Sequence, residues 1–133
     1  RRAPTVLTPH EGELGRLLGV ESDWVAAHRI EAVRRGAEMF NCTCVLKGAD
    51  TLIAGPKGGL LVSSLGTPAL ATAGSGDVLT GIVAAFLAKG VEARIAAAAA
   101  VAAQQLASRR ISQSGAVASD VIGALPLVLD APV

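Results

Sequence analysis

Hydrophobic and polar positions fall into blocks whose period changes several times along the chain. The run "TVLT" (5–8) is β-branched and apolar, and Pro9 closes it, so a strand is predicted there. The block "EGELGRLLG" (11–19) opens with Glu11 and Glu13, carries leucines at 14, 17 and 18, and ends on Gly19, which predicts a short helix. In "SDWVAAHRIEAVRRGAEMF" (22–40), Val25, Ile30, Val33, Ala37 and Phe40 approach helical spacing, and Ser22 or Asp23 can cap the start. "CTCVLKG" (42–48) predicts a second strand. Strand, helices, strand is the pattern of a parallel βαβ unit.

The pattern then shortens. Two apolar runs in "DTLIAGPKGGLLVSS" (50–64) flank the turn signal "GPKGG" and predict a hairpin with antiparallel strands. A loop (65–76) leads to an apolar helix at 77–89, which Gly90 ends. The alanine-rich stretch 92–111 predicts a long helix that packs closely between neighbours. Ser119-Asp120 is placed as the cap of a last helix that stops at Pro126. The fold class is α/β, with helices on both sides of a sheet. Two parallel strands and a hairpin make a small sheet for helices this apolar. The sheet is therefore expected to be incomplete, with residues 1–133 the C-terminal part of a larger domain; a compact domain with a short mixed sheet is the alternative.

Composition narrows the function classes. The chain has 133 residues, a net charge of +1, 51% hydrophobic and 17% charged residues. Aromatics make up 2%, which leaves no stacking platform for nucleic acid. No apolar run approaches the roughly 18–20 residues that span a bilayer, and "RRAPTVLTP" has no apolar core of a signal peptide. A soluble, cytoplasmic protein without nucleic-acid or membrane partners is expected. Cys42 and Cys44 form a C-x-C pair in a strand-like stretch. A disulfide between them would be strained and two thiols are too few for structural zinc, so reduced, partly buried thiols are expected. His28, among polar neighbours in its helix, reads as a surface residue.

Three stretches carry candidate chemistry. In "AGSGD", Gly74, Ser75 and Gly76 precede Asp77 at the mouth of an apolar helix. Glycines allow close approach of backbone to a ligand, and a helix N-terminus attracts phosphate. Asp77 there is an ionised carboxylate able to take a proton from a hydroxyl. Taken alone, Ser75 or Asp77 also reads as a plain helix cap. In "LKGADT" (46–51), Lys47 at a strand end beside Gly48 suits a nucleotide phosphate, or is a solvated lysine. In "TPHEGE" (8–13), His10, Glu11 and Glu13 follow a strand, and also fit the start of a helix. Ligands in open α/β sheets sit at the carboxyl ends of strands, so the three stretches can converge on one cleft.

Together "VLTPHEGELGRLLG", "VLKGADTLIA" and "GTPALATAGSGDVLTGIVAAFLAKG" resemble the ADP- or ATP-dependent NAD(P)H-hydrate dehydratases of the ribokinase-like superfamily. The resemblance runs through nearly all of the chain and covers about the C-terminal half of that family's domain. It implies a mostly parallel sheet with a hairpin and flanking helices. It implies a metabolite-repair lyase that phosphorylates the added hydroxyl of hydrated NADH or NADPH and then eliminates phosphate. Carried over by position, Asp77 is the base and a substrate contact, and Gly74, Ser75 and Gly76 hold the phosphoryl group. Lys47, Gly48, Ala49, Asp50, Thr51 and Gly76 contact ADP or ATP, His10 contacts the hydrated nicotinamide, and Glu13 orders Mg²⁺ through water. Where the family reads G-N-P-G-M-A-T, this chain has Gly66-Thr67-Pro68-Ala69-Leu70-Ala71-Thr72. The related sugar and vitamin kinases usually carry asparagine in place of His10. A ribokinase-like small-molecule kinase and an inactive nucleotide-binding fragment are the alternative functions. Apolar helices and a cut sheet point to contacts beyond this chain, and to a homo-oligomer.

Overall fold

The computed structural model describes residues 3–130. Arg1-Arg2, at the head of the signal-peptide reading, lie outside them. Strand β1 (Val6–Leu7) is followed by helices α1 (Glu11–Leu18), α2 (Ser22–Ala27) and α3 (Arg29–Phe40). Next come β2 (Thr43–Leu46), β3 (Thr51–Ala54) and β4 (Leu60–Ser63). A 3-10 turn (Pro68–Ala71) leads to α4 (Ser75–Ala88), α5 (Ala93–Ser108) and α6 (Ala118–Leu129).

The four strands lie in chain order, β1-β2-β3-β4. β1 and β2 are parallel, with Val6 opposite Thr43 and Leu7 opposite Cys44. The other two pairings are antiparallel. Residues 47–50 join β2 to β3, too short a link for the crossover a parallel pair needs. The described sheet is thus mixed, with the one parallel pair and the hairpin that the sequence predicts.

Every residue of β2 and β3 is buried, because both faces of the sheet are covered. Strand residues alternate between the faces, and each face builds its own core. Cys44, Leu46, Leu52 and Ala54 meet Leu14, Leu18, Val25, Val33 and Ala37 of α1–α3. Val45 and Ile53 meet Leu79, Ile82, Val83, Ala97, Ala100 and Val101 of α4 and α5. The alanines let α5 lie close to the sheet, and α6 closes over it through Ala107, Val121 and Ala124. At about 2 kcal/mol per buried aliphatic side chain, these two cores dominate the stability of the described fold. Close approach also fixes Gly36: a β-carbon there would lie 3.1 Å from Leu14 Cδ1 and 3.2 Å from Cys44 Sγ.

Several boundaries differ from the sequence expectation. Residues 22–40 form two helices, because His28 leaves the helical region at φ −130°, ψ 46°. Its ring stacks on Trp24 with centroids 4.7 Å apart, and its Nδ1 lies 2.9 Å from the Trp24 carbonyl. His28 is exposed as expected, but it is a hinge between helices. Glu21, not Ser22 or Asp23, stands at the N-cap of α2, without a side-chain cap bond. Ile30 faces outward. α4 starts at Ser75, so Gly76 and Asp77 belong to its first turn. α6 runs through Pro126 instead of stopping there. Pro126 and Ile122, whose carbonyl loses its partner, are both exposed, so water can take up that oxygen. Asp120 accepts from the Val117 N–H at 2.9 Å and secures the start of α6.

Candidate active site

The exits of the two parallel strands are tied together. The Lys47 N–H at the end of β2 donates to the Pro9 carbonyl at 2.9 Å. Lys47 and His10 thereby reach the same edge of the sheet. The start of α4 reaches it too: a β-carbon on Gly76 would lie 3.1 Å from Lys47 Nζ. The Thr8 and Thr80 hydroxyls, 3.5 Å apart, join the β1 exit to α4.

Two adjoining hollows share Lys47 and Gly76. The larger, about 700 Å³, is lined by His10, Gly48, Ala49, Thr51 and Ser75, among others. The smaller, about 310 Å³, is lined by Glu13, Asp77 and Thr80 with residues of the β1 exit. Asp50 and Gly74 lie outside both linings. Asp50 contributes its carbonyl to Arg29 instead. Gly74 makes the turn into α4 at φ +86° and comes close to Ala118, whose Cβ would be 3.2 Å from a β-carbon on it.

The start of α4 has no side-chain cap. The Ser75 hydroxyl, one candidate for that role, donates to the Leu70 carbonyl at 2.8 Å and clasps the 3-10 turn. The Ser75 N–H makes a long bond of 3.3 Å to the Thr72 carbonyl, and regular helix bonding begins with Val78 N–H on the Gly74 carbonyl. Among the described residues, the Gly76 and Asp77 N–H groups have no acceptor. Orphan donors at a helix mouth attract anions. The plain-cap reading of Ser75 and Asp77 is thus overturned, and Asp77 is exposed beside these donors.

α1 behaves differently. His10 Nδ1 accepts from the Gly12 and Glu13 N–H groups at 3.1 and 3.3 Å, while Glu13 Oε2 accepts from the His10 N–H at 2.8 Å. This reciprocal cap holds the ring in the tautomer protonated on Nε2. The imidazole remains exposed and lines the larger hollow. The His10 N–H bond holds the Glu13 carboxyl below its ordinary value, with smaller help from Lys47, whose Nζ lies 3.8 Å from Oε2. Partial burial opposes the shift.

Among the described residues, no three His, Cys, Asp or Glu side chains converge to enclose a metal ion. Glu13 and Asp77 lining one small hollow suit a Mg²⁺ ion that keeps its waters and is carried on phosphates.

Sequence reasoning missed three residues that shape these walls. Gln104 and Gln105, adjacent on α5, are buried at 6% and 3% exposure. Gln104 Nε2 donates to the Ser75 carbonyl at 2.6 Å. Gln105 accepts from the Ser63 hydroxyl and the Leu65 N–H, and its amide lies 3.5 Å from Thr51 Oγ1. A polar pair inside an alanine-rich helix was the available signal. The third is Arg29, at the start of α3, which pairs with Glu11 and donates to the Asp50 carbonyl at 2.8 Å.

A helix-clad sheet with an uncapped helix N-terminus at the carboxyl ends of its parallel strands defines an α/β protein whose open sheet edge has the geometry of a ligand site. A family model described as NAD(P)H-hydrate dehydratase matches residues 1–127, and the chain belongs to this family. It is 42% identical over 130 residues to a bifunctional NAD(P)H-hydrate repair enzyme of Moorella thermoacetica, covering 95% of this chain and 24% of that protein. It is 43% identical over 117 residues to an ADP-dependent (S)-NAD(P)H-hydrate dehydratase of Neisseria meningitidis, covering 88% of this chain and 40% of that protein. The ADP/ATP-dependent NAD(P)H-hydrate dehydratase of Bacillus subtilis, co-crystallised with ATP and Mg²⁺, matches with a TM-score of 0.87 at 33% identity. That match covers 98% of this chain and 48% of that one. The fold is ribokinase-like, and the chain spans from about a quarter to half the length of these proteins.

Proposed function

We propose that the protein containing this chain dehydrates hydrated NADH or NADPH at the expense of ADP or ATP, and that residues 1–133 are one part of its ribokinase-like domain. The observation that carries this reading is the uncapped start of α4, with two orphan N–H groups beside the exposed Asp77. Donors fixed before the reaction stabilise charge on a phosphoryl group without reorganising. In this reading the backbone of Gly74, Ser75 and Gly76 cradles that group, with the Gly76 N–H the best placed of the three. Asp77 takes the proton from the substrate hydroxyl as its oxygen attacks phosphorus. The attack expels AMP from ADP, or ADP from ATP; the phosphate formed on that oxygen then leaves as the ring nitrogen supplies its electron pair, and loss of a proton from the neighbouring ring carbon restores the dihydronicotinamide.

Lys47, Gly48, Ala49, Asp50 and Thr51 take the nucleotide, with Lys47 Nζ at Gly76 as the link between nucleotide and transferred group. His10, held by its cap bonds with Nε2 3.5 Å from Glu13 Oε1, offers its exposed ring to the hydrated nicotinamide. Mg²⁺, when bound, would neutralise charge on the nucleotide phosphates, and Glu13 would hold it through water. A cytoplasmic location fits such a substrate, and no helix among the described residues is long and apolar enough to cross a membrane. Exposed Ile122, Leu127 and Leu129 on α6, with Val62 on β4, support a homo-oligomer, which light scattering on the intact gene product tests.

Incubation of the intact gene product with hydrated NADH, Mg²⁺ and ADP or ATP tests the activity. Nucleotide-dependent recovery of the reduced-nicotinamide absorbance is expected. Its absence with both nucleotides sinks the reading, and a stable phosphorylated product from a hydroxymethyl substrate replaces it with a kinase.

A further inference from the structure

Arg29 is the first residue of α3, yet its guanidinium lies between two loops from other elements. One nitrogen, Nη1, pairs with the Glu11 carboxylate, in the turn that carries His10 and Glu13. The other, Nη2, donates to the Asp50 carbonyl at 2.8 Å and stands 3.5 Å from the Leu46 carbonyl. Leu46 and Asp50 bracket the turn that holds Lys47, Gly48 and Ala49. The side chain is mostly buried, at 22% exposure. A rigid fork of donors suits such a bridge, which a point-charge ammonium cannot span in the same way.

Gly48 supplies an independent observation. A β-carbon there would lie 2.6 Å from Arg29 Nη2 and 2.9 Å from Nη1. Its backbone is outside the left-handed region, so conformational freedom does not require glycine. Space for the guanidinium does. Gly48 and Arg29 therefore form a matched pair.

We propose that Arg29 is a positioning residue: its guanidinium sets the Lys47–Thr51 turn against the His10–Glu13 turn and so fixes the width of the cavity between them. The proposal deepens the nucleotide-site reading and rests on it for its kinetic consequence. The placement of the turn is independent of any ligand.

The test uses the intact gene product with four variants, Arg29→Ala, Arg29→Lys, Gly48→Ala and the Arg29→Ala/Gly48→Ala double. Without nucleotide, amide exchange over residues 46–51 is expected to rise at least about tenfold in Arg29→Ala and less in Arg29→Lys. Gly48→Ala is expected to match Arg29→Ala by displacing the guanidinium. The double variant is expected to be no worse than Arg29→Ala alone, since the added methyl then enters vacated space. With nucleotide, KM for ADP is expected to rise about tenfold in Arg29→Ala while its kcat stays within about twofold. Unchanged exchange over 46–51 in Arg29→Ala overturns the proposal, and so do effects that multiply in the double variant. A wild-type protein that uses neither ADP nor ATP removes the nucleotide reading, while the exchange measurements still decide what Arg29 does.

Discussion

Lys47 Nζ stands 3.1 Å from the point a β-carbon on Gly76 would occupy. Two distant motifs meet there, one at the end of β2 and one in the first turn of α4. Gly76 lies in a helix at a negative φ, so alanine adds helix propensity of up to about 1 kcal/mol. Gly76→Ala is therefore expected to keep or raise the melting temperature. Its methyl pushes the ammonium aside, and KM for ADP or ATP is expected to rise roughly tenfold, about 1.4 kcal/mol. Calorimetry and steady-state kinetics on the same variant separate the two effects.

Asp77 lies exposed beside the orphan N–H groups of α4. The proposed function makes it a general base, a role that contributes about 10²–10⁴-fold. Asp77→Asn keeps the size of the side chain and removes the base. Loss of kcat in that range is expected, with ADP affinity within about threefold of wild type. Turnover that survives the change shows that the proton goes elsewhere.

Glu13 is half exposed, and the His10 N–H lowers its pKa below 4.5. A depressed carboxyl pKa means that the unfolded chain binds more protons at low pH. The stabilisation is complete above about pH 4.5 and is lost as pH falls through the lower folded value. Solvent screening keeps it below about 1 kcal/mol. Glu13→Gln still accepts the His10 N–H but has no proton to gain. Thermal unfolding between neutral pH and pH 3 is expected to be flatter for this variant than for wild type.

Cys44 is fully buried, and burial, with a smaller push from Cys42, raises its thiol to about 12. Alkylating reagents attack the thiolate. At pH 8 Cys44 is expected to resist iodoacetamide in the folded protein and to react once the chain is unfolded in guanidinium, as read by mass spectrometry of the labelled peptide. The raised pKa also gives stability that is complete below about pH 9 and is lost as pH climbs towards 12.

The sequence exposed what depends on local order. Short apolar runs in "TCVL" and "TLIA" marked two strands, and Gly19 marked the left-handed end of α1. The acids of "HEGE" marked a helix start, and Glu13 does close a cap there. Local order was silent or misleading elsewhere. His28 breaks a helix that apolar spacing carries through: its backbone stands at φ −130°, ψ 46°, and its ring turns to the Trp24 carbonyl. Pro126 sits within α6 because its exposed face lets water replace the missing bond.

For the site, the chemical groups are legible in the order of residues: a glycine-flanked carboxylate, a strand-end lysine and a histidine beside acids. What they face is set by packing. The Lys47 N–H bond to Pro9 aligns two turns that lie 38 positions apart in the chain. The glutamines of α5 hold both walls, and α4 is left without a cap. Periodicity reports which side of an element is buried, because burial repeats with the element's own geometry. Strand pairing and helix packing decide which elements share an edge, and those contacts join residues whose separation carries no period at all.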